Sequence, residues 1–272
     1  MSSPILINVE LKDALTASSC SHLAVEFFKH IAYQRQQIPF PYKQLKSVLS
    51  RKIEQDSSTV TGARSCQAEN EFIKVKGMFE SMQNAFQNLE EELCSHEGMI
   101  QEIAMILGAT PLSPRDVYRF QFPPLLLGHL DSKHPHQSNL LSLFRCLISS
   151  EDLHSFFKQP LSPTNMFLFI RKNNTILATS AFTPKERYNL PTSGKHAIIR
   201  LIPPSDPPKC ICGGTNIYSD DESDTGEVKR PIDNNEVENC SSLWFQAHQT
   251  LKGFKDVKIN GVAASTMWLQ SR

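Results

Sequence analysis

Phe72, Val75, Phe79, Met82, Phe86, Leu89 and Leu93 recur at alternating steps of three and four residues. At 3.6 residues per turn that spacing puts all of them on one stripe of a single long helix. Such a stripe is also the seam of a coiled coil. Here it lasts only about three heptads, and strand-like runs surround it, so the pattern predicts a helix laid across a sheet. Large phenylalanines on such a stripe serve as core, not as a cofactor surface.

The strand-like runs are residues 5–11, 99–107, 115–122, 165–172, 175–181, 196–202 and 242–254. Residues 165–172 and 175–181 read as a hairpin around Asn173 and Asn174, residues that tolerate left-handed turn geometry. In the last run Trp244 and Gln246 alternate with Phe245 and Ala247, as a strand requires. Two stretches lack the apolar content to fold. Residues 50–65 are rich in Ser, Thr and charge and read as a mobile loop. Residues 204–240 combine low hydrophobicity with clustered acids, which predicts a disordered excursion. Ser219 and Ser223 stand among those acids as candidate phosphorylation sites.

Composition narrows the function classes. Lys+Arg and Asp+Glu both total 28 in 272 residues, so there is no general attraction for nucleic acid or an anionic membrane. The N-terminus lacks a signal-peptide pattern, and no run approaches the roughly 18–20 apolar residues that span a bilayer. Seven scattered cysteines fit a reducing compartment, cytosol or nucleus, better than a disulfide framework. No metal is expected. Cys210 and Cys212 form a CxC short of a zinc motif, and His129, His134 and His136 with Asp131 read as solvated loop residues. Gly194-Lys195 superficially matches a phosphate loop, but the leading glycine is absent and His196 stands where Ser or Thr would hold magnesium. No cofactor is implied. Cys146 with a histidine gives no local signature of a cysteine hydrolase.

Two helices carry the anomalies. In residues 26–46 an apolar helix ends in Tyr33-Gln34-Arg35-Gln36-Gln37, and Pro39 and Pro41 stop it near Gln37. The cluster at Thr16, Ser18 and Ser19 suits its N-cap. Gln34 projects into the arc of Leu23, Phe27, Ile31, Ala24, Phe28 and Ala32. A polar amide there needs partners, either local backbone at the helix end or another protein. The third helix, residues 137–157, has Leu143, Leu140 and Leu147 on one side of its arc and Phe144, Ile148 and Leu141 on the other. Together they subtend roughly 160°, wider than the roughly 100° stripe of a helix with one buried face. Ser142, Cys146 and Ser149 occupy the back. Either one half of the arc faces a partner, with Arg145 at its polar edge, or a neighbouring loop buries both halves.

Several stretches together resemble the comet protein family, which binds the spindle-checkpoint protein Mad-two. They are Lys29-His30-Ile31, Tyr33 through Gln37, Pro39, Pro41-Tyr42, Gln44-Leu45-Lys46, Leu143-Phe144-Arg145, Pro184-Lys185, Tyr188, Pro191, Gly194, His196, Trp244-Phe245-Gln246-Ala247 and Lys252-Gly253-Phe254. The resemblance implies an α+β, HORMA-like domain, with three helices on a mainly antiparallel sheet and a C-terminal segment, including Trp244 and Phe245, that wraps the body as a safety belt. Residues 19–256 would form this domain, preceded by a strand-like or flexible segment at 1–18 and followed by a tail at 257–272. It further implies a non-catalytic adaptor that binds the closed conformer of Mad-two and delivers it to an AAA+ ATPase of the Pch-two/TRIP-thirteen family, silencing the mitotic checkpoint. Localisation would be nucleus and cytoplasm, with spindle or kinetochore association in mitosis. The implied contact pair is Gln34 and Phe144, with Arg35, Arg145, Leu141 and Ile148 as neighbours. The alternative is a HORMA module that traps a linear peptide under its own C-terminal belt.

Overall fold

A computed structural model describes residues 3–58, 66–95, 99–123, 134, 136–173, 179, 181–204 and 242–270. The predicted α+β class is observed. The principal sheet runs in the order β1 (Ile5–Glu10), β6 (Lys195–Ile202), β3 (Ser113–Gln121), β2 (Ile100–Thr110), β4 (Asn165–Asn173), β7 (Ser242–Ala247) and β5 (Phe182–Lys185), with β8 (Leu251–Lys252) also paired to β4. β6 is parallel to both β1 and β3, and the remaining pairs are antiparallel.

The long stripe is helix α3 (Cys66–Ser95), and every residue of the seam from Phe72 to Leu93 is buried. It packs beside α1 (Ala17–Gln34), and both cover one face of the sheet. The core there includes Ile103, Met105, Leu107, Tyr118, Phe120, Leu168 and Ile170, which alternate along β2, β3 and β4 as strand geometry dictates. The opposite face holds a smaller cluster of Ala104, Ile106, Val117, Phe167, Phe169 and Trp244. Tyr188 covers it by stacking on Phe169, with ring centroids 4.8 Å apart. The turn before β6 needs glycine: Gly194 has φ +86°, and a Cβ there would lie 2.9 Å from the carbonyl oxygens of Pro114 and Arg115.

Several expectations change. Residues 50–58, read as loop, continue helix α2 (Tyr42–Ser58). Lys52 is buried there, 3.4 Å from Glu69 and 5.4 Å from the Phe72 ring, so α3 supplies the partner that composition alone could not show. Residues 59–65 and 205–241, with Ser219, Ser223, Cys210 and Cys212, lie outside the described residues, as do His129 and Asp131. Most of the second arm of the expected hairpin, residues 174–178 and 180, lies outside the described residues. Among the described residues, β2 pairs one edge of β4, and β7 and β8 pair the other. The C-terminal strand β7 thus lies between β4 and β5.

The third helix is two: α4 (Gln137–Ser149) and α5 (Glu151–Phe157), broken at Ser150, whose hydroxyl accepts the Leu153 amide. The segment at 1–18 contributes β1, which is part of the sheet. Within the tail, residues 257–270 hold a small hairpin of β9 (Lys258–Ile259) and β10 (Val262–Ala263) leading into α6 (Ala264–Gln270). α6 lies against α3 and α2, where the buried Trp268 indole donates to the Ala68 carbonyl at 3.0 Å. No helix among the described residues is long and apolar enough to cross a membrane.

Candidate interaction surface

α1 begins with a capping box. The Thr16 hydroxyl accepts the Ser19 amide, and the Ser19 hydroxyl accepts the Thr16 amide. Its apolar arc of Leu23, Ala24, Phe27, Phe28, Ile31 and Ala32 is fully buried. The helix ends in a Schellman turn before either proline: the Gln36 amide donates to Tyr33 and the Gln37 amide to Ala32. Gln36, not glycine, takes the left-handed position at φ 55°, a geometry that costs a non-glycine residue roughly 1–2 kcal/mol.

The amide and guanidinium side chains of this turn divide their roles. Gln34, inside the arc by angle, is exposed. Gln37 is the structural amide. It is fully buried, donates to the Arg35 carbonyl at 2.7 Å, and accepts the Thr164 amide at 2.7 Å. Arg35, expected as a partner contact, is also buried and is turned inward. Its Nε donates to Asp116 Oδ2 at 2.7 Å and its Nη1 to the Gln159 carbonyl at 2.8 Å. Burial pushes the Asp116 carboxyl up, opposed by the Arg35 charge and the Tyr118 hydroxyl bond. Arg35 therefore anchors the helix end to β3 and the segment after α5.

α4 splits its arc as one of the two readings allowed. Leu143 and Leu147 are buried, while Leu141 and Ile148 are 57% and 63% exposed. Phe144 lies at the boundary, half-buried, with its ring edge-on to His30 of α1 at 5.5 Å. Arg145 is exposed at the polar margin. The supposed back is partly wrong: Ser142 is buried, beside Asn139. Asn139 Oδ1 accepts the Lys12 and Asp13 amides at 3.0 and 3.1 Å, which ties α4 to the end of β1. His134 is not solvated. It is buried, with Nδ1 2.7 Å from Asp13 Oδ1, and His136 packs its ring against His22 at 4.2 Å. No cluster of metal-ligating side chains occurs among the described residues.

The structure thus brings Phe144, Leu141, Ile148 and Arg145 onto one helix face, and the His30–Phe144 contact sets that face beside the last turns of α1, which carry Gln34. Arg35 alone leaves the set. Trp244 and Phe245 lie within the sheet, on its two opposite cores. Sequence reasoning missed Tyr33, which is 38% exposed beside Gln34, and His30. It also missed Asp116. The signal was present, because Asp116, Tyr118 and Phe120 share one strand face, and a carboxylate on a core face requires a cation.

An α+β domain that leaves Leu141 and Ile148 uncovered along one helix has there a candidate protein-docking face. A family model described as "p31comet: Mad1 and Cdc20-bound-Mad2 binding" matches residues 3–211. The chain belongs to the p31comet family. It is 23% identical over 251 residues to the Homo sapiens protein named MAD2L1-binding protein, covering 92% of this chain and 80% of that one. The Mus musculus protein of the same name is 23% identical over 258 residues, covering 92% and 79%.

Proposed function

We propose that this chain is a non-catalytic adaptor that binds Mad2 in its closed, Mad1- or Cdc20-bound form through the outer face of α4 and the end of α1. The observation that carries this reading is the exposure of Leu141 and Ile148 on either side of Phe144, against the end of a helix that presents Tyr33 and Gln34. Aromatic and aliphatic anchors with a polar rim are what an interface core uses, and Arg145 and Gln34 supply the rim. The family description and the names of both relatives support Mad2 as the occupant. A HORMA-like fold, delivery of Mad2 to an AAA+ ATPase of the Pch-two/TRIP-thirteen family, checkpoint silencing, and a nuclear, cytoplasmic and spindle location follow from the same family resemblance. The pairing of β7 with β4 on one edge and β5 on the other supports the adaptor over a peptide trap, since neither edge of this strand is open to a captured peptide.

The test is capture of Mad2 locked in its closed or open form by the wild type and by a Gln34→Ala, Phe144→Ala variant. The wild type retains closed Mad2 selectively. The double variant stays folded and loses roughly 2–4 kcal/mol of affinity, as truncation of a central anchor does. Equal capture of both forms, or full retention by the double variant, refutes the reading.

A further inference from the structure

The end of α1 is held by the far end of the chain. The Gly253 amide donates to the Thr164 carbonyl at 2.8 Å, and the Phe254 amide donates to the Gln37 carbonyl at 2.8 Å. The Thr164 amide in turn donates to Gln37 Oε1. Gly253 packs so closely that a Cβ there would lie 2.4 Å from Gln37 Oε1 and 3.1 Å from the Thr164 nitrogen. Gln37 is therefore gripped through its backbone and its side chain at once, between the C-terminal segment and the start of β4.

The same segment is pinned on both sides of this contact. Upstream, β8 pairs with Asn165 and Met166. Downstream, Asp256 accepts the Ser265 amide at 3.1 Å and Trp268 is seated on Phe72 and Ala68. Gln37 directly follows the left-handed Gln36, and its Nε2 caps the Arg35 carbonyl. Its placement consequently sets the direction in which the last turn presents Tyr33, Gln34 and Gln36.

We propose that Gln37 is a positioning residue through which the C-terminal segment at Gly253 and Phe254 preorganises the Mad2-facing end of α1. This rests on the reading that Gln34 meets the partner. Gln37 itself is fully buried, so its side chain offers no surface to a partner. Its effect is on the fraction of molecules whose α1 terminus is already in the binding geometry, and affinity falls in proportion to that fraction. Loosening the C-terminal segment thus weakens docking without altering any contacting side chain.

The experiment uses the full chain with Gln37→Met, which keeps length and volume but removes the side-chain hydrogen bonds to Arg35, Leu161 and Thr164, and with Gly253→Ala. Two measurements separate the outcomes. The first is amide hydrogen exchange of the free protein, which needs no partner. Both variants should speed exchange at Gln36, Gln37 and Ile38 while the amides in the middle of α1 keep their protection. The second is affinity for closed Mad2, expected to fall roughly 3- to 10-fold as the competent fraction drops. In Gln34→Ala, where one of the presented side chains is already gone, Gln37→Met should cost less than its full factor; in Phe144→Ala it should cost its full factor. Unchanged exchange at the turn, or a loss equally additive in both backgrounds, overturns the proposal. If Gln34→Ala and Phe144→Ala leave Mad2 binding intact, the docking reading fails, and the exchange data then test the latch alone. Should Gly253→Ala not fold, Gln37→Met carries both measurements.

Discussion

α1 and α4 carry apolar arcs of similar width, roughly 180° and 160° at 100° per residue, yet only one is consumed by the fold. α1 lies on the sheet with α3 beside it, so two neighbours cover its arc and Phe27, Phe28 and Ile31 are fully buried. α4 lies at the rim of the sheet, against β1 and the flank of α1. One side of its arc is taken up and Leu141 and Ile148 remain in solvent. Arc width therefore reports how many neighbours a helix was built to have. On the proposed reading, the shortfall between that number and the neighbours present is where the partner docks.

The largest effect that tests this contrast is on stability. Phe27 packs against Phe28 and Phe120 with ring centroids 5.2 Å away in each case. Phe27→Ala should destabilise the domain by roughly 3–5 kcal/mol, the cost of emptying an aromatic site in a core. Ile148→Ser, an equally apolar position by sequence, should change stability by less than about 0.5 kcal/mol, as exposed substitutions do. Urea unfolding of the two variants compares them directly. A large loss in Ile148→Ser would mean that α4 is covered after all, and the contrast would collapse.

The next effect concerns the boundary between the two arcs, where Arg35 ends the buried one. If Arg35 is an anchor, Arg35→Met leaves Asp116 buried without its cation and should cost about 3–5 kcal/mol. Pairing it with Asp116→Leu should recover most of that loss, because a buried ion pair rarely outperforms apolar groups of similar size. The direction of the Asp116 shift agrees, since desolvation already outweighs the help from Arg35. A contact residue would behave oppositely, with little change in stability and no rescue. Thermal unfolding of the two single variants and the double variant completes the cycle.

Much of this was legible in the residues. The seam from Phe72 to Leu93 and the divided arc of α4 follow from helical period alone, because packing reads that period directly. The inward turn of Arg35 was not legible, for angle places both Arg35 and Gln34 within the apolar arc and only Arg35 is buried. What sequence could not show were relations between distant segments. Lys52 looked like loop charge until α3 supplied Glu69, and the pairing of β7 with β4 joins strands far apart along the chain. Gln37 belongs to the same class. Its partners, Thr164 and Phe254, are set by the tertiary fold, and nothing local distinguishes it from Gln34 or Gln36.

The smallest effect joins the two helices. His30 of α1 meets the ring edge of Phe144 of α4, and burial holds the imidazole below its ordinary value of 6.5. The sign follows from linkage. Between the lowered folded value and 6.5 the unfolded chain takes up a proton that the native state refuses. Stability from this group is therefore complete above about pH 6.5 and is lost as pH falls through the folded value. His22, lowered by burial and by the neighbouring His136, acts in the same direction. If Phe144 supplies the cover over His30, Phe144→Ala opens that ring to water. The His30 midpoint, followed by NMR titration, should then rise toward 6.5, and the acid-side loss of stability should become shallower. The His22 midpoint, set by contacts at the other end of α1, should not move. An unmoved His30 would mean that α1 buries the imidazole by itself and that the two arcs are independent. A shift at His30 alone would locate the seam between them at a single ring.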